Sequence, residues 1–134
     1  MARRKDTSEG TSRKRLAQVI VCEGCCCGRV DKGHPEVPRE WLKTEWRKRL
    51  LPGKVHLTFS GCVGPCDVSN VVMIVTEQRT VWLGGLDRKS QFAELADWAS
   101  ACDRAGAAVP LPQALACLTF DRFTEQRLLR AEVA

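Results

Sequence analysis

The segment of residues 17–28 reads Ala17-Gln18-Val19-Ile20-Val21-Cys22-Glu23-Gly24-Cys25-Cys26-Cys27-Gly28. Its first five residues form a short apolar run with β-branched side chains, which predicts a buried strand over 17–21. The strand runs straight into a cluster of cysteines and glycines. Thiols are therefore expected at the carboxyl end of the first strand.

A second cysteine cluster, Ser60-Gly61-Cys62-Val63-Gly64-Pro65-Cys66-Asp67, follows another strand signal. Residues 55–60 alternate apolar and polar, which predicts a strand, and residues 38–50 predict a helix that begins at a proline. A strand, helix and strand in succession favour parallel pairing of the two strands. Because parallel strands end at the same edge of a sheet, Cys22 and Cys62 are predicted to lie close together.

The rest of the chain predicts two more strands, over 71–75 and 80–83, and a helix over 88–102. Short helices are expected over 112–119 and 121–131. The connections after the second strand are short enough for antiparallel pairing. The predicted fold is α/β, a thioredoxin-like mixed four-stranded sheet with flanking helices.

Length and charge favour one domain with a basic tail. The chain has 134 residues, of which 44% are apolar, enough for one modest core. The net charge is +5, and residues 1–15 alone carry +4. The predicted organisation is a disordered basic tail over 1–16, a thioredoxin-like domain over 17–106 and a helical C-terminal extension over 107–134. Since residues 16–134 are nearly neutral, nucleic-acid binding is not expected.

The sequence also bears on the compartment. No apolar run reaches the roughly 20 residues that a membrane span needs, and the N-terminus lacks the apolar stretch of a secretory signal. A cytoplasmic protein without a membrane span is therefore expected. Eight cysteines are unusual there, because disulfides are rare in that compartment, so the cysteines indicate a metal or redox role.

The spacing of the cysteines favours iron and sulfide as the bound group. Cys22 to Cys27 is C-x4-C, and Cys62 to Cys66 is C-x3-C. Soft thiolate ligands suit iron–sulfur clusters, and backbone N–H groups stabilise the electron-rich sulfurs. Glycines let the loops approach closely and take positive φ where required. The glycines in question are Gly24, Gly28, Gly61 and Gly64.

The two motifs together resemble the thioredoxin-like 2Fe–2S ferredoxins, which include the small 2Fe–2S subunit of respiratory complex I. The resemblance covers about residues 17–100, and the C-x3-C loop is its most specific part. It implies a one-electron carrier whose 2Fe–2S cluster has Cys22 and Cys27 on one iron and Cys62 and Cys66 on the other. The first loop departs from the pattern, because three consecutive cysteines leave Cys26 as an alternative second ligand.

The resemblance also implies partners. They are a reductase and an electron-accepting enzyme, and a homodimer is implied as well. The segments Cys25-Cys26-Cys27-Gly28 and Trp82-Leu83-Gly84-Gly85 are most similar to stand-alone ferredoxins, some of which are associated with cobaltochelatase. This looser resemblance suggests a role in cobalamin synthesis.

Two other functions fit part of the pattern. A four-cysteine zinc module is one, although zinc ribbons favour C-x2-C pairs that are closer in sequence. A thioredoxin-like thiol–disulfide oxidoreductase using Cys22 and Cys25 is the other, because these residues form C-x-x-C after a strand. That chemistry needs a low-pKa thiol at a helix N-terminus, whereas a loop of about ten residues is predicted before the helix.

The remaining polar and thiol residues receive structural interpretations. His34 and His56 are expected in a loop and on a half-solvated strand face, not as ligands. Cys102 and Cys117 are expected to be small buried hydrophobes. Arg39, Lys43 and Arg47 predict a solvated helix face, with docking of an acidic redox partner as the alternative. No catalytic site of the chain's own is expected.

Overall fold

The structure is a computed structural model that describes residues 10–49 and 53–124. The elements, in chain order, are β1 (Ala17–Cys22), α1 (Arg39–Arg49), β2 (Val55–Ser60), β3 (Val72–Thr76), β4 (Thr80–Leu83), α2 (Lys89–Ala105), α3 (Gln113–Ala116) and β5 (Thr119–Phe120). Short 3-10 turns lie at Val30–Lys32 and Cys66–Val68. The four predicted strands and both long helices are therefore present.

The sheet is mixed, as predicted, with the strand order β2-β1-β3-β4-β5. β1 is parallel to β2 and antiparallel to β3, and β3 and β4 are antiparallel. The partner of β3 is β1 and not β2, because residues 61–71 carry the chain past β1 before β3 begins. The α/β fold with flanking helices is confirmed, and β5 adds a short fifth strand beside β4.

The main core lies on one face of the sheet. Alternate residues of β1, such as Val19 and Val21, are buried there together with Leu42 of α1 and Phe92 of α2. Residues on successive positions of a strand point to opposite faces. On the other face Gln18 of β1 donates a 2.9 Å hydrogen bond to Thr58.

The C-terminal part differs from the sequence prediction. The helix expected over 112–119 is a single turn at Gln113–Ala116, and the chain then enters β5. Residues 121–124 form no helix, and the rest of the predicted helix over 121–131 lies outside the described residues, as do residues 1–9 of the tail. Because Phe120 pairs with Trp82 of β4, the backbone at Thr119–Phe120 is extended and not helical. Among the described helices, none is long and apolar enough to cross a membrane.

Candidate metal centre

The two cysteine loops begin side by side at one edge of the sheet. Cys22 and Ser60, the last residues of β1 and β2, lie opposite each other in the parallel register. The backbone N–H of Glu23 donates to the Ser60 carbonyl at 2.9 Å, so the pairing continues into the loops. The predicted meeting of segments 22–27 and 62–66 at the carboxyl ends of parallel strands is confirmed.

Sulfur atoms from both loops lie within a few ångströms of one another. The Sγ atoms of Cys62 and Cys66 are 3.2 Å apart. Those of Cys25, Cys26 and Cys66 all lie within 4.8 Å of one another, and the Cys25 thiol also hydrogen-bonds to Cys62. Cys25 holds a φ of 22°, which residues other than glycine seldom adopt. These four cysteines form the open half of the site.

Cys22 and Cys27 form its buried half. Their exposed fractions are 3% and 2%, and their thiols are hydrogen-bonded to each other. The backbone N–H of Val71 donates to Cys27 Sγ at 3.4 Å. The four predicted ligands therefore lie as two pairs, one buried and one open. Cys26, the alternative second ligand, lies with Cys66 instead of with Cys22.

Burial and mutual hydrogen bonds shift the pKa values of three thiols of the centre. Burial raises the pKa of Cys27 to about 12, and its hydrogen bond with Cys22 adds to the rise. The hydrogen bond between Cys62 and Cys66 lowers the pKa of Cys62 and raises that of Cys66 to about 12. Cys27 and Cys66, whose pKa values are raised, become thiolate ligands at neutral pH where bound cations compensate their charge.

Asn70 fixes the loop that carries Cys27. It is the one buried polar residue among those described, with an exposed fraction of 0%. Its Oδ1 accepts a hydrogen bond from the Gly28 N–H, and its Nδ2 donates to the carbonyls of Pro35 and Leu86, each at 3.0 Å. Sequence reasoning missed Asn70. The only signal was the pair of polar residues Ser69 and Asn70 directly before the apolar run of β3.

Glycine is required at two turns of the site. Gly28 has a φ of +75°, and a Cβ placed on it would lie 3.1 Å from Val37 Cγ2. Gly64, between Cys62 and Cys66, has a φ of +121°. Of the other two glycines in these loops, Gly24 has a positive φ of 106° and Gly61 does not have a positive φ.

An unpaired donor lies beside the buried cysteines. Trp82 packs against the cluster of Cys22, Cys27 and Val71. Its indole Nε1 is buried and has no hydrogen-bond partner within residues 10–49 and 53–124. Buried N–H groups in proteins almost always have an acceptor. An electron-rich ligand on the cysteines would supply acceptors at this place, so the surroundings fit a thiolate-bound cluster.

Basic side chains flank the cysteine loops and are partly neutralised. Arg39 makes a 2.7 Å ion pair with Glu23 and lies 5.0 Å over the Phe59 ring. Lys43 pairs with Glu40 at 3.9 Å. The predicted helix face of Arg39, Lys43 and Arg47 is thus solvated, as expected, with acidic residues interspersed.

The other candidate ligands lie away from the sulfurs. His56 is exposed on β2, and His34 Nδ1 lies 3.2 Å from Ser69 Oγ in a loop. Cys102 is fully buried in α2, as predicted. The prediction for Cys117 was wrong: it is exposed, because it follows the short α3 and not a continuous helix stripe.

The solved structures that match this chain include two thioredoxin-like [2Fe-2S] ferredoxin structures from Aquifex aeolicus. For the wild-type protein the identity is 16% and the TM-score 0.47, over 81% of this chain and 99% of that one. For the other structure the identity is 15% and the TM-score 0.47, over 86% and 99%. Both carry the name of the family that the cysteine motifs resemble. No protein-family model and no curated protein matches the sequence.

Proposed function

We propose that this chain is a small electron carrier that holds one 2Fe–2S cluster on Cys22, Cys27, Cys62 and Cys66. The observation that carries the proposal is the convergence of two cysteine loops at the ends of adjacent parallel strands. When bound, such a cluster accepts and releases one electron through irons that each have two thiolate ligands.

The two halves of the site suit different tasks. The buried pair Cys22 and Cys27 is held by the Val71 N–H and by apolar packing, which fixes the ligand geometry. Cys62 is exposed, which keeps the centre near the surface for electron exchange with partner proteins. Exposure and hydrogen bonds to sulfur are the features through which a protein adjusts the reduction potential. No further reaction is assigned to the chain's own residues.

A zinc module is the second candidate, and one observation favours it. The Sγ atoms of Cys25, Cys26 and Cys66 lie within 4.8 Å of one another, close enough for three ligands of a single ion, and Cys62 Sγ lies 3.2 Å from Cys66 Sγ. Tetrahedral zinc with Zn–S bonds of about 2.3 Å separates its sulfurs by about 3.8 Å. This arrangement leaves the buried pair without a role, so we place it second. The thiol–disulfide alternative has less support, since the next α-helix after Cys25 begins only at Arg39.

The test is anaerobic purification of the full chain, with iron, zinc and sulfide analysis, visible absorption and electron-spin spectra after reduction with dithionite. A red-brown protein with about two irons and two sulfides per chain is expected. Colourless protein with one zinc per chain would exclude the carrier function.

Serine variants then assign the ligands. Replacing Cys22, Cys27, Cys62 or Cys66 is expected to abolish or alter the spectrum, whereas Cys25→Ser and Cys26→Ser keep it. Cys117→Ser is the matched control, because Cys117 is exposed and its thiol donates to the Ala114 carbonyl at 3.4 Å, outside the two cysteine loops. Loss of the spectrum in Cys25→Ser with survival in Cys27→Ser would overturn this ligand set.

The partners follow from electron transfer: a reductase that supplies the electron and an enzyme that consumes it, both in the cytoplasm. The resemblance of Cys25–Gly28 and Trp82–Gly85 to cobaltochelatase-associated ferredoxins makes cobalamin synthesis the pathway that we propose. Loss of cobalamin in a deletion strain, restored by the intact gene, would support that pathway. Sedimentation of the purified protein tests the homodimer.

A further inference from the structure

Arg122 contacts the loop that carries Cys62 and Cys66. A Cβ placed on Gly64, in the middle of that loop, would lie 2.6 Å from Arg122 Nη2 and 3.5 Å from Cζ. The guanidinium therefore occupies the space directly above the Gly64 backbone. The motif that the sequence analysis singled out needs glycine here for its φ of +121°, and the bare backbone leaves room for this neighbour.

Aromatic rings hold the guanidinium in this place. Its Cζ lies 5.6 Å from the ring centroid of Trp82 and 5.7 Å from that of Phe123. The two rings are 6.2 Å apart and nearly perpendicular. Trp82 in turn packs against the buried cluster of Cys22 and Cys27. Stacking of this kind favours Arg over other cations and limits its motion.

The strand β5 brings Arg122 to the site. Phe120 pairs with Trp82 in the β4–β5 ladder, so the chain two residues later passes over the Cys62–Cys66 loop. The guanidinium carries a positive charge. A fixed positive charge thus lies against the more exposed of the two ligand pairs.

We propose that Arg122 raises the reduction potential of the centre, an inference that rests on the proposed function. One electron from a flavin or iron–sulfur reductase adds one negative charge to a site that is already anionic, and no bond is made or broken. A nearby cation stabilises the reduced state more than the oxidised state. Because Arg122 is exposed, part of this stabilisation is screened by salt.

The experiment is a redox titration of the full-length loaded protein, followed by its visible and electron-spin spectra, at low and at high salt. Arg122→Gln is expected to lower the midpoint potential, with a smaller shift at high salt. Arg122→Lys is expected to keep most of the wild-type potential, because the charge remains. Arg104→Gln is the matched control, because Arg104 lies at the other end of the sheet from the cysteines. Its side chain donates to Ser100 on α2. Gly106, two residues later, lines a cavity with Leu16, and Leu16 precedes β1 at the end opposite Cys22.

The outcomes separate the inference from the function on which it rests. An unchanged potential in Arg122→Gln, with an intact spectrum, would overturn the inference and leave the carrier function standing. Equal disturbance of the spectrum in Arg122→Gln and Arg122→Lys would also overturn the inference, because it would show that Arg122 acts through packing and not through its charge. Wild-type protein without iron and sulfide would remove the proposed function and this inference together.

Discussion

Asn70 Oδ1 accepts a 2.8 Å hydrogen bond from the backbone N–H of Gly28, the residue that follows Cys27. The same side chain donates to the carbonyls of Pro35 and Leu86. One buried amide therefore joins the first cysteine loop to the entry of α1 and to the segment after β4. This connection holds the loop that carries Cys27, one of the two buried cysteines of the candidate centre.

Asn70→Ala is expected to lower the free energy of unfolding by about 2–4 kcal/mol, because it leaves buried backbone groups without partners. Chemical denaturation of the purified protein measures the change. Gln113→Ala, at an exposed position of α3, is the control and is expected to cost under about 0.5 kcal/mol. A loss below about 1 kcal/mol for Asn70→Ala would contradict the role given to this amide.

The comparison of two glycines isolates crowding at the first cysteine loop. Gly28 and Gly33 both have positive φ, +75° and +82°, but a Cβ would crowd Val37 only at Gly28. Gly33→Ala is expected to cost about 1 kcal/mol from backbone strain alone, and Gly28→Ala clearly more, with weaker iron loading. Thermal unfolding and iron content are the measurements. Equal losses of stability for Gly28→Ala and Gly33→Ala would contradict this expectation, because they would show that Val37 moves aside without a loss of stability.

Local pattern was sufficient for the first four strands and the two long helices, because their signals are apolar periodicity and turn-forming Gly and Pro residues. Apolar residues at 71–75 gave β3, and Leu42 with Trp46 gave the buried stripe of α1. The parallel pairing of β1 and β2 followed from the helix between them. With it came the convergence of the two cysteine loops.

What sequence did not predict depends on contacts between distant segments. Nothing near Asn70 indicates that three loops would meet on its side chain. Arg122 fell within an expected helix, and only the pairing of β4 with β5 brings it to Gly64. The sulfur of Cys25 lies with Cys66 because of the local backbone turn, which the run of three cysteines alone does not specify.

Removal of the metal is expected to lower the melting temperature while leaving the helices formed at room temperature. The main core between the sheet and the two long helices does not include the cysteine loops, which pack in a separate small cluster. Bound metal adds stability to the folded state by mass action. Circular dichroism of protein whose metal has been removed with acid and chelator gives both the melting temperature and the helix content at room temperature. Loss of helical signal at room temperature would mean that the core depends on the centre.

Alkylation of the loaded protein distinguishes the two candidate metal sets. If Cys22, Cys27, Cys62 and Cys66 hold the cluster, the exposed Cys25 stays free and reacts with iodoacetamide alongside the exposed Cys117. If a zinc ion occupies the open half, Cys25 is a ligand and only Cys117 reacts quickly. Cys102 serves as the internal control, because it is fully buried and burial raises the pKa of its thiol, so it reacts only after unfolding. Peptide mass spectrometry reads the sites, and protection of Cys25 in a red-brown, iron-containing protein would reassign it as a cluster ligand.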